Sequence, residues 1–121
     1  MQFQLNTDEH IQGTEQLAAW VETELKGKLT RFRDQLTRIE AHMSDANGVR
    51  VGDHDKRCKL EARMAGLQPV VVSHDAGTVA DALHGAADKL LRALDSTVGK
   101  LRDAHGRDTI RGAAADAVDE L

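Results

Sequence analysis

The chain has no tyrosine, one tryptophan, two phenylalanines, one proline and one cysteine in 121 residues. Each scarcity excludes something. A single thiol, Cys58, cannot close an internal disulfide, and this suits a reducing cytoplasm. So few aromatic residues mean that the core is aliphatic and that no row of rings is available to stack nucleobases. No window approaches the roughly 18 apolar residues of a membrane-spanning helix. The first residues, Met1-Gln2-Phe3-Gln4-Leu5-Asn6, lack the basic-then-apolar order of a secretory signal. Histidines stand at 10, 42, 54, 74, 84 and 105, with no helical His-x-x-x-His pair. No Cys-x-x-Cys occurs either, so the strong zinc signatures are missing. Dispersed glycines form no phosphate loop. Asp53-His54-Asp55 is the densest polar cluster and reads as a solvated loop, and Cys58 reads as a small buried apolar residue. Neither an enzyme reaction nor a cofactor is expected.

What is present is charge, unevenly spread. The formal net charge is −4. Residues 1–25 carry five acids and no Lys or Arg. Residues 26–63 carry ten basic residues against six acidic ones, and residues 64–121 return to a net negative balance. Such polarity can steer one face toward phosphate while the whole stays acidic, although scattered surface charge can also cluster by chance.

The apolar residues change period along the chain. Met1, Phe3 and Leu5 alternate with polar residues, as in a half-buried strand. Thr14 is placed to cap a helix over 15–32, where Leu17, Val21, Leu25, Leu29 and Phe32 make one stripe. Ile39, Ala41 and Met43 alternate again. After a polar loop over 44–55 come Cys58, Leu60, Ala62 and Met64, then Gly66, Pro69 and a short strand Val70-Val71-Val72. These three strands suit an antiparallel meander. From Val79 to Leu101 helical spacing returns, although Gly85 and Gly99 each weaken a helix by roughly 1 kcal/mol relative to Ala. The expected class is α+β in the order β-α-β-β-β-α. It predicts a four-stranded sheet with two helices packed on one face, the layout of double-stranded RNA-binding domains. The domain covers 1–103, and 104–121 form a flexible acidic tail.

That layout leaves Gln2, Gln4, Arg38, His42, Arg57, Lys59 and Arg63 on the wet face, with Glu40 and Glu61 interleaved. Lys26 and Arg33 fall on one flank of the first helix, and Arg31 falls on the other, near Trp20. On the second helix Lys89 and Lys100 share a flank, and Asp81, Asp88 and Asp95 form an acidic row that phosphate would avoid. Cations without surface aromatics suit backbone and shape contacts to RNA. Mixed charge that only keeps a sheet face soluble is the plainer reading of the same residues.

Three stretches carry a resemblance: Thr37-Arg38-Ile39-Glu40-Ala41-His42-Met43, Asp55-Lys56-Arg57-Cys58-Lys59-Leu60-Glu61-Ala62-Arg63, and Ala86-Ala87-Asp88-Lys89-Leu90-Leu91-Arg92-Ala93-Leu94. In order and spacing the chain resembles the bacterial ribosome hibernation-promoting and ribosome-associated inhibitor proteins, once described as sigma-54 modulation proteins, over about residues 1–102. The resemblance implies binding at the decoding region of the small ribosomal subunit, through its 16S rRNA, and silencing of ribosomes under starvation or in stationary phase. It assigns rRNA contact to Lys56, Arg57, Lys59, Lys89 and Arg92, with Lys26, Lys28, Arg31 and Arg33 behind them. A cytoplasmic protein with no membrane and no small-molecule substrate is expected, and its oligomeric state is left open between a monomer and a larger assembly. Two departures stand out. The second helix ends in Asp95-Ser96-Thr97-Val98-Gly99-Lys100-Leu101-Arg102-Asp103 where relatives carry dense basic clusters, and the second domain of the long members is not in this sequence. A protein-interaction, stress-regulatory module on the same fold and a non-ribosomal double-stranded RNA binder remain as alternatives.

Overall fold

The structure, a computed structural model, describes residues 1–8, 11–45 and 56–114, with side chains through Lys100. Asp53-His54-Asp55 and residues 115–121 lie outside the described residues. The elements are β1 (Gln2–Thr7), α1 (Glu15–Lys28), a 3-10 turn (Thr30–Phe32), β2 (Leu36–Asp45), β3 (Lys56–Met64), β4 (Val70–Ala76) and α2 (Val79–Ala114). They form two compact units, residues 1–91 and 92–121. The first holds the sheet, α1 and the start of α2. The second carries the remainder of α2.

The sheet order is β1-β2-β3-β4. β1 runs parallel to β2 through the α1 crossover, and the other two pairings are antiparallel. The expected α+β order and sheet are therefore present. Register aligns the inward residues in rows: Phe3, Ile39, Ala62 and Val70; then Leu5, Ala41, Leu60 and Val72; then Thr7, Met43, Cys58 and His74. Ile39, Ala41, Cys58, Leu60 and Ala62 are fully buried, as are Val21 of α1 and Ala82, Leu83, Ala86 and Leu90 of α2. Two alanines at the centre of the sheet leave room for large helix side chains. Burying a side chain such as Leu60 or Leu83 contributes about 1.5–3 kcal/mol.

Several boundaries differ from the sequence reading, each for a local reason. α1 stops at Lys28. Thr30 Oγ donates back to the carbonyls of Lys26 and Gly27 at 2.9 Å, and the chain tightens into the 3-10 turn that still buries Phe32. β2 runs on to Asp45, whose backbone N–H donates to Asp8 Oδ2 at 3.0 Å. β4 extends through Ser73, His74 and Asp75 to Ala76. Those polar residues hide the strand from an apolar count, yet all pair in register with β3. α2 continues to Ala114, well beyond the fading of its apolar stripe near Arg102. Extending an existing helix is easier than nucleating one, Ala104, Arg107 and Arg111 favour it, and no proline intervenes.

The cap of α1 follows expectation, and α2 has one the sequence reading did not name. Thr14 Oγ accepts the Leu17 N–H at 3.0 Å, and Thr78 Oγ accepts the Asp81 N–H at 3.1 Å. Gly66, at φ +76°, supplies the left-handed residue of the β3–β4 turn. Gly85 has a different purpose. A Cβ there would lie 2.1 Å from His74 Cδ2, so the missing side chain lets the β4 imidazole seat against α2.

Two outcomes follow from this packing. Gly85→Ala lowers the melting temperature by several degrees despite its better helix propensity, and His74→Ala in the same chain recovers much of the loss; a thermal melt monitored by circular dichroism checks both. Burial pushes the Cys58 thiol up to about 12 from its ordinary value near 9. Because the folded value is raised, this group's contribution is complete below about pH 9 and is lost as the pH climbs toward 12. Native protein should therefore resist iodoacetamide at pH 8 and be alkylated once denatured, as read by mass spectrometry.

Candidate nucleic-acid interface

The outward face of the sheet is banded by sign. Arg38 lies opposite Arg63, Glu40 opposite Glu61, and His42 opposite Lys59. Like charges directly across a pair are unfavourable. They are offset along the strands, where residues two apart share the face. Arg63 donates to Glu61 at 2.9 Å, and Arg38 and His42 lie 3.7 and 3.8 Å from Glu40. β1 completes this part with amides. Arg38 donates to Gln2 and Gln4, Gln4 donates to Asn6 at 3.1 Å, and Asn6 donates to Glu40 at 3.2 Å. The cations of this half of the face are thus already partnered.

The other half, toward the β4 edge, is different. Arg57 holds Asp75 with two parallel bonds, Nε to Oδ1 at 2.8 Å and an Nη to Oδ2 at 3.1 Å, across the β3–β4 pair. Both side chains are substantially exposed, so the pair contributes little to stability. Two residues along β3, Lys59 projects from the same face and makes no ion pair or hydrogen bond among the described residues. From α2, Lys89 Nζ reaches over the edge strand and donates to the Ser73 carbonyl at 2.9 Å. Ser73 is the register partner of Lys59, and Asp75 is that of Arg57. Three cations from two elements therefore surround two adjacent outward positions of β4.

The remaining residues singled out from the sequence scatter. Lys56 lies in the inward alternation with Cys58, and its ammonium meets the nearly buried Asp45 carboxylate at 3.0 Å; it closes the open end of β2 and β3. Lys26 pairs with Glu22 at 2.5 Å, one helical turn away. Lys28 pairs with Asp88 of α2 at 2.5 Å, so this member of the acidic row joins two helices. Arg31 lies 5.2 Å over the Phe32 ring. Trp20 instead meets His84, with ring centroids 6.1 Å apart, and His84 Nε2 lies 3.0 Å from Glu24. Arg33 lines a shallow cleft of about 360 Å³ with Met1, Lys26, Leu29, Thr30 and Asp34. Arg92 belongs to the second unit. No group of three or more His, Cys, Asp or Glu side chains suited to a metal ion occurs among the described residues.

The sequence reading missed Asp75 and Ser73 as parts of this surface. For Asp75 a signal existed in its spacing, since it stands two residues from Ser73 and four from Val71 on the same strand face.

The family model described as "Sigma 54 modulation protein / S30EA ribosomal protein" matches residues 6–102, most of the chain, from the end of β1 through the first two thirds of α2. The chain belongs to this family. Its members are ribosome-associated factors. No curated protein sequence matches this chain. Among solved structures, the Protein Y N-terminal domain of Thermus thermophilus is similar at a TM-score of 0.58 and 20% identity, covering 74% of this chain and 91% of that one. A ribosomal subunit interface protein from Coxiella burnetii is similar at 0.63 and 15% identity, covering 82% and 99%. At these identities the likeness establishes a shared fold. The banded surface and the β4-edge cluster are read from this chain's own residues.

The Arg57 hydrogen bond, together with the fields of Arg57, His74 and Lys89, holds the Asp75 carboxyl below its usual value of 3.8, and the same pairing raises Arg57. The small stability that Asp75 confers is therefore present above that value and lost as the pH falls through the lower folded one. In a carboxyl-carbon NMR titration the Asp75 midpoint should lie below 3.8 in the native protein and move up toward it in Arg57→Gln.

Proposed function

We propose that this protein silences translation by occupying the small ribosomal subunit near the decoding region, where messenger and transfer RNA would otherwise lie. The observation that carries the reading is the convergence of Arg57, Lys59 and Lys89 at the β4 edge, on a chain of the sigma-54 modulation / S30EA family. Contacts would be to the phosphate backbone. Among the described residues the outward sheet face offers cations and amides but no phenylalanine, tyrosine or tryptophan on which a base could stack. Inhibition follows from occupancy alone, with no substrate turned over, and the place of action is the cytoplasm under starvation or in stationary phase. Arg92 extends the contact along α2, and Lys26, Lys28, Arg31 and Arg33 provide a second tier. Lys56 takes part indirectly, by holding the end of β3 through Asp45. The domain that does this is residues 1–103, with 104–121 as its tail.

A second reading draws support from the ion pairs themselves. Arg38, Arg57, Arg63, Lys26 and Lys28 each have an acidic partner within the chain, and a surface neutralised in this way also suits a protein partner.

Sedimentation with 30S and 70S ribosomes across a salt series separates the two. The ribosome reading expects co-sedimentation that weakens steeply with salt, and loss of the protein from the pellet in Lys59→Glu/Lys89→Glu. Lys56 is left intact in that variant, because a glutamate beside the buried Asp45 would damage the fold instead of the interface. Failure to pellet even at low salt overturns the reading and favours a protein partner.

A further inference from the structure

Among the described residues Asp75 is the carboxylate that Arg57 holds within the β4-edge cluster, and its position is what a docked phosphate would need. It lies on the outward face of an edge strand, where one flank is open to solvent. Its two oxygens take both forward donors of Arg57, the fork geometry that also binds phosphate. Lys89 adds its field to the carboxylate while its ammonium rests on the neighbouring Ser73 carbonyl, an uncharged acceptor that an anion outcompetes. Lys59, two residues along β3, has no partner among the described residues to hold it back. The cluster therefore combines two cations ready to turn toward an anion with one arginine already bound to a resident anion.

Resting on the ribosome-binding reading, we propose that the β4 edge is a subsite for one backbone phosphate, and that Asp75 occupies it in the free protein as a built-in counter-anion that tunes affinity. Docking exchanges the carboxylate for a phosphate. Arg57 swings its fork to the incoming oxygens, Lys59 and Lys89 close on the same group, and Asp75 turns out to water. No covalent bond changes. The resident carboxylate keeps Arg57 ordered and partly neutralised between encounters. It therefore costs affinity and discourages indiscriminate binding to any polyanion, which suits a protein that is acidic overall.

Removing the charge at Asp75 while keeping its shape tests this. Asp75→Asn, with folding verified by thermal melt, should bind inorganic tripolyphosphate about two- to fivefold more tightly than the native chain at low salt, the range an exposed ion pair allows. Side-chain NMR should locate the perturbation at Arg57 Nε, Lys59 Nζ and Lys89 Nζ. Arg57→Gln/Asp75→Asn should show no such gain over Arg57→Gln, because the carboxylate acts through the arginine. Equal or weaker binding by Asp75→Asn, or perturbation spread evenly over all lysines, overturns the proposal. In that case Asp75 serves only to orient Arg57. The same variants sedimented with 30S subunits separate the partner from the subsite. A gain with tripolyphosphate alongside wild-type protein that never pellets keeps the phosphate subsite and removes the ribosome. Pelleting of the wild type without a gain in Asp75→Asn keeps the ribosome and removes the counter-anion.

Discussion

The antiparallel register of β2 against β3 is the constraint on which the rest depends. With Ala41 opposite Leu60 and Met43 opposite Cys58, the apolar side chains from Ile39 to Met43 and from Cys58 to Ala62 fall on one face, and Arg38, Glu40, His42, Arg57, Lys59, Glu61 and Arg63 fall on the other. A slip of one residue would move Arg38, Glu40, Arg57 and Lys59 into the core and expel Ile39 and Leu60. Burial on one side therefore sets the address of each charge on the other. The bands of sign on the wet face follow from the register, because Arg38 and Arg63 can face each other only if Glu40 and Glu61 do so two residues on.

Those bands explain why one half of the face is quiet and the other is not. Glu40 and Glu61 sit where they can reach the cations of β2 and the far end of β3, and the β1 amides complete the network. At the β4 edge Asp75 is the carboxylate that meets Arg57, with Lys59 and Lys89 nearby. An edge strand is also exposed along its side, so a ligand can approach there without disturbing the sheet. Lys89 over the Ser73 carbonyl adds a further consequence, since a lysine on an edge discourages a second strand from pairing there.

Much of the fold was legible in the sequence because burial leaves a period. Phe3 and Leu5, Ile39 to Met43, and Cys58 to Met64 announce strands by alternation, while Val21, Leu25, Leu83 and Leu90 announce helices by three- and four-residue spacing. The misplaced limits are those where side-chain chemistry overrides hydropathy. Thr30 folds back on α1, Ser73 to Asp75 extend β4 with polar residues, and α2 carries on past its apolar stripe. Gly85 was legible only as a weak point in a helix. Its contact with His74 comes from a strand eleven residues earlier, and no local pattern encodes that approach.

Sequence alone determined most of the inward and outward alternation, and the family resemblance named Lys56, Arg57, Lys59, Lys89 and Arg92 together, because alternation and motif spacing are properties of the chain. Tertiary structure decided the partners. Lys56 and Arg57 are neighbours in sequence, yet one closes a buried pair with Asp45 and the other meets Asp75 at the edge, since consecutive strand residues point to opposite faces. Lys28 looked free for RNA until the packing of α1 beside α2 brought Asp88 to it. A charge pattern says how many cations a surface has. Only the assembled sheet and helices, through the short range of ion pairing in water, determine which of them are already spoken for.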